Sequence, residues 1–71
     1  MNQKEAVIKY CRTHKKGITV WTAFEIGITR LSERIMELES DGWLFHREQF
    51  YGENRFGNRV RIIKYQLIGR V

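Results

Sequence analysis

The 71-residue chain is 42% hydrophobic, carries two Trp, three Tyr and four Phe, and has a formal net charge of +5. That length gives one domain with a modest core, near the lower size limit for folding alone, so a binding module is expected and an enzyme with a deep enclosed pocket is not. The single cysteine excludes an internal disulfide and suits a reducing compartment; no signal peptide or membrane-spanning run is legible, which predicts a soluble, cytoplasmic chain.

The first predicted element is a helix over about residues 3–15. Asn2-Gln3-Lys4-Glu5 reads as a capping box, Val7, Tyr10, Cys11 and His14 recur on one stripe, and Lys15, Lys16 and Gly17 close it. Ile18-Thr19-Val20 is either a brief strand or the lead into a second helix over about 20–26. Thr19 is its expected cap, and Trp21, Phe24 and Ile26 are its apolar faces around Ala23. Gly27 ends that helix, Ile28 plugs the turn, and Thr29 is the expected cap of a third helix from about Arg30 to Asp41. Leu31, Ile35 and Leu38 form its inner face, while Glu33, Glu37 and Ser40 lie opposite with Arg30 and Arg34 on one flank.

After Gly42 the period changes. Residues 43–50 and 60–67 are rich in aromatic and β-branched types, and residues 51–59 are full of turn formers, which predicts a β-hairpin with a long tip. Val60 and Ile62 break the alternation of Ile63, Tyr65 and Leu67, so a bulge is expected near the tip, and residues 68–71 are expected to form a short tail. Trp21, Trp43, Phe24, Phe45, Tyr10 and Tyr65 are expected in the core. Cys11 and His14 are also read as core, since two ligands do not make a closed zinc site. No metal, cofactor or catalytic constellation is expected.

Charge is unevenly placed. Residues 1–17 carry +4, residues 18–42 carry −3 and residues 43–71 carry +4. Basic flanks favour a polyanionic partner, yet the third helix itself holds Glu33, Glu37 and Glu39.

Gly27-Ile28-Thr29-Arg30-Leu31-Ser32 followed by Arg34-Ile35 and Glu37-Leu38 has the form of a helix-turn-helix, with the second helix opening on an arginine. Together with Thr13-His14-Lys15-Lys16-Gly17 and Asn54-Arg55-Phe56-Gly57, it resembles the small winged helix-turn-helix proteins of phages and prophages. The resemblance covers nearly the whole chain and implies an α+β fold of three helices and a two-stranded wing. It names DNA as the partner without a biological role; the leading expectation is a sequence-specific double-stranded DNA-binding protein of phage or prophage type in the bacterial cytoplasm, a transcriptional regulator or excisionase-like recombination factor, and the small size calls for a dimer or cooperative binding.

On that basis Arg30, Ser32, Glu33 and Arg34 are the candidate base readers, and Thr29 with the first helical amides is a candidate phosphate site. Asn54, Arg55, Asn58 and Arg59 are the candidate wing contacts, and Lys15 and Lys16 are candidate phosphate contacts. Phe56 is expected to fold back and hold the loop. Lys4, Lys9 and Arg12 add general positive potential. Against this stands a surface on which Arg30 and Arg34 merely pair with the neighbouring glutamates. A protein-interaction module on the same scaffold, an antirepressor or host-takeover factor, is the alternative, and RNA binding stays open.

Overall fold

The computed structural model describes residues 2–71. It contains α1 (Gln3–Thr13), α2 (Val20–Glu25), α3 (Leu31–Ser40), β1 (Trp43–Glu53) and β2 (Arg59–Arg70), the expected three helices and antiparallel hairpin. In α1 the Asn2 side chain accepts from the Glu5 amide at 2.8 Å, fixing the first turn. The helix stops at Thr13, earlier than expected, where His14 caps it. Thr19 caps α2 as expected, and its reciprocal partner is the Thr22 hydroxyl, which accepts from the Thr19 amide at 2.9 Å.

The start of α3 corrects the expectation. Thr29 does not cap it: the position belongs to Arg30, which lies in the left-handed region at φ 54 and makes no side-chain cap bond. Gln3 of α1 occupies Thr29 instead, accepting from its amide at 3.2 Å and donating to its hydroxyl at 3.4 Å. A contact across the fold has displaced the local one.

The strands are longer than the sequence suggests, and the expected tail is part of β2. Arg70 pairs with Trp43 and Gly69 with Leu44, and the register shift lies between Leu44 and Phe45 at the base, not near the tip. A bulge there lets residues of poor alternation join the ladder. On the outer edge of β2, Ile18 exchanges both backbone bonds with Tyr65 at 2.8 and 2.9 Å. Gly17 makes this possible: at φ +105, a Cβ on it would lie 2.5 Å from the Tyr65 carbonyl oxygen.

The core forms where α1 and α3 close over the base of this sheet. Val7, Ile18 and Ile35 are wholly excluded from water, with Ile8, Cys11, Ala23, Ile28, Leu31, Leu38, Phe45 and Tyr65 around them. Burial pushes the Cys11 thiol up to about 11, so it is a protonated packing group at neutral pH. Of the residues expected in this core, three lie elsewhere. His14 is exposed and stacks on Tyr10 with ring centroids 4.0 Å apart. Trp21 and Phe24 are exposed, Phe24 to 74%. A helix of six residues has one face to bury, and Ala23 takes it.

Candidate nucleic-acid interface

The hairpin sets the geometry. Arg59, Arg61, Ile63 and Tyr65 alternate along β2 and so share one face of the sheet. That face meets α3, because Arg47, the cross-strand partner of Tyr65, forks onto Glu39 with Nη1–Oε2 at 2.9 Å and Nη2–Oε1 at 2.6 Å. The same bonds hold the Glu39 carboxyl below its ordinary range and raise Arg47. This clamp ties α3 to the strands at the edge of the apolar core.

Beyond the clamp, the amino end of α3 and the strand enclose a shallow groove. Arg30 and Ser32 line it from the helix, Arg61 and Ile63 from β2, and Val20 from α2. Arg30 and Ser32 are thus brought together as expected, and Arg61 joins them. Arg61 escaped sequence reasoning because it sits among apolar strand residues; its parity with Arg59 was the available signal. A larger concavity, about 680 Å³, lies elsewhere, between α1 and the far end of α3. An ion pair between Lys4 and Asp41 at 2.7 Å crosses it.

The charged residues of α3 divide into free and engaged. The Arg30 side chain is 75% exposed and only loosely drawn to Glu33, at 3.8 Å. Arg34 is engaged: its side chain is 25% exposed, with Nη2 3.4 Å from Glu33 and Nε 3.2 Å from Glu37. The Nε is buried and, despite that distance, is not aligned for a hydrogen bond. Arg34 therefore neutralises the two glutamates more than it presents a donor outward. Glu33, Met36 and Glu37 are exposed beside it.

At the tip, Asn54 is an organiser. Its side-chain oxygen accepts from the amides of Phe56 at 2.9 Å and Asn58 at 3.0 Å, and its own amide donates to the Asn58 carbonyl at 2.9 Å. This Asx-type turn displays Arg55 and Asn58 to solvent. Arg59 stands over the Tyr51 ring, its guanidinium carbon 4.0 Å from the centroid. Phe56 does not fold back; it is 80% exposed. Lys15 and Lys16 are exposed in the turn after α1, against the base of β2 where Gln66 donates to the Lys16 carbonyl at 3.3 Å. They lie outside the groove.

Among the described residues no group of three His, Cys, Asp or Glu side chains is placed to hold a metal ion, and no helix is long and apolar enough to cross a membrane. No curated protein and no solved structure matches the chain. A family model described as a winged helix-turn-helix domain matches residues 2–69, and with it DNA is the partner that the fold suggests. The chain belongs to the winged helix-turn-helix domain family.

Proposed function

We propose that the protein is a sequence-specific binder of double-stranded DNA, without enzymatic activity or cofactor, in which α3 enters the major groove and the hairpin straddles the adjoining backbone. The observation that carries this reading is the groove where exposed Arg30, the residue that opens α3, and Ser32 in its first turn face Arg61 of the strand. A recognition helix reads with its first turn, and an arginine there donates twice to a guanine edge. Arg55 and Arg59, with Asn58, supply the wing contacts to phosphates or the minor groove. Lys15 and Lys16 reach flanking phosphates only if the duplex extends past the base of β2. Thr29, held by Gln3, is a positioning residue on this reading. A domain this small covers few base pairs, so useful affinity comes from a dimer or from cooperative assembly. The role is that of a phage- or prophage-type transcriptional regulator or excisionase-like factor in the bacterial cytoplasm.

A fluorescence titration with random-sequence duplex at rising salt tests the reading. Affinity falls on a log–log plot with a slope of about −0.9 for each phosphate neutralised. Replacing Arg30, Arg55 or Arg61 by Ala weakens binding with the fold intact, Arg30→Ala by roughly tenfold or more on a selected site. Absence of binding at low salt overturns it.

The exposed Glu33, Met36 and Glu37 on α3, with Arg34 already consumed by the glutamates, favour a second reading: a protein-interaction module that docks on a basic partner. It requires that Arg30→Ala and Arg55→Ala be silent and that Glu33→Lys or Glu37→Lys abolish partner binding.

A further inference from the structure

We propose that Phe56 is a wedge that enters a base step in the minor groove and bends the duplex; the proposal rests on the DNA-binding reading above. The first observation is the ring itself. It is 80% exposed at the tip of the hairpin, so folding covers little of it. A ring so exposed contributes little to folding.

The second observation is the mounting. The Asn54 side chain fixes the Phe56 amide at 2.9 Å and the Asn58 amide at 3.0 Å, and the Gly57 amide closes on the Asn54 carbonyl at 3.0 Å. The backbone under the ring is therefore set before any partner arrives, which lowers the ordering cost of insertion. Below it the ladder continues without a break from Glu53–Arg59 to Phe50–Ile62, an arm of roughly 10 Å beyond the last buried strand residue, Ile62.

The third is the electrostatic setting. Arg55 precedes the ring and Arg59 follows the turn, both exposed. Minor-groove wedges are apolar side chains that partly unstack a base step beside arginines or lysines that read the groove, and the tip carries both kinds of residue, Arg59 standing over the Tyr51 ring. Within residues 50–59 Glu53 is the single carboxylate, and it lies in the ladder opposite Arg59.

The test is ligase-catalysed ring closure of random-sequence duplexes shorter than the persistence length of about 150 base pairs, run beside the salt titration. The expected result is that the protein accelerates closure several-fold. Phe56→Ser then binds with the same salt slope and does not accelerate, while Phe56→Leu, another wedge-competent side chain, restores it. Equal acceleration by Phe56→Ser, or binding by the unaltered protein without acceleration, overturns the wedge and leaves the DNA-binding reading standing. No binding at low salt overturns both.

Discussion

Around Val7, Ile18 and Ile35 the chain excludes water completely, whereas across residues 49–59 no side chain is buried. The first region is held by apolar contact between α1, α3 and the sheet base. The second is held by its backbone ladder, by Arg59 on Tyr51 and by the Asn54 turn. Folding and surface chemistry are thus allotted to different parts of a small chain, and substitutions should separate them.

The sharpest challenge is Ile35→Ala, expected to cost about 2–5 kcal/mol, a large share of the roughly 5–15 kcal/mol of a typical domain. Denaturant titration measures it, and a loss below about 1 kcal/mol breaks the comparison. Next come two glycines of like conformation. Gly17→Ala drives a methyl group into the Tyr65 carbonyl and should lose the Ile18 bridge on top of roughly 1–3 kcal/mol of backbone strain. Gly57→Ala, at φ +78 with nothing within 4 Å, should show the strain alone.

The clamp between Glu39 and Arg47 lies at the boundary and is partly solvated. Glu39→Gln should cost no more than about 1 kcal/mol at neutral pH. Because Arg47 lowers the Glu39 carboxyl in the folded state, its contribution is present above the ordinary carboxylate range. It is lost as pH falls through the folded value, so the two proteins should converge in acid; a gap that widens there contradicts the assignment. Smallest are Phe24→Ser and Phe56→Ser, each expected within about 0.5 kcal/mol by thermal melting because both rings are exposed.

The helices and hairpin were legible because apolar periodicity follows from which face must leave water. Individual contacts were less so. Hydrophobic type does not say whether a face is covered, which is why Trp21 and Phe24 read as core. Thr29 has the chemistry of a cap, but a glutamine far away in sequence claims it. The outer end of β2 was missed because Ile68, Gly69 and Arg70 lack alternation, and their pairing depends on a shift at Leu44 that only the folded register reveals. In the candidate interface, Arg30 and Arg55 were visible as cations at special places, the start of a helix and a glycine-bearing loop. Arg61 was hidden inside a strand, and the engagement of Arg34 by two glutamates depends on rotamers that spacing alone does not fix.

Arg30 bears on how such a sequence tolerates change. At φ 54 it occupies a conformation that disfavours an ordinary side chain by about 1–2 kcal/mol, and glycine would rest there at ease. Variants chosen only for heat tolerance should therefore drift toward Arg30→Gly, gaining robustness and losing the guanidinium at the mouth of the groove. Variants chosen for grip on DNA, on the reading proposed here, should keep arginine and tolerate the strain. One backbone angle thus sets two selections against each other at a single codon.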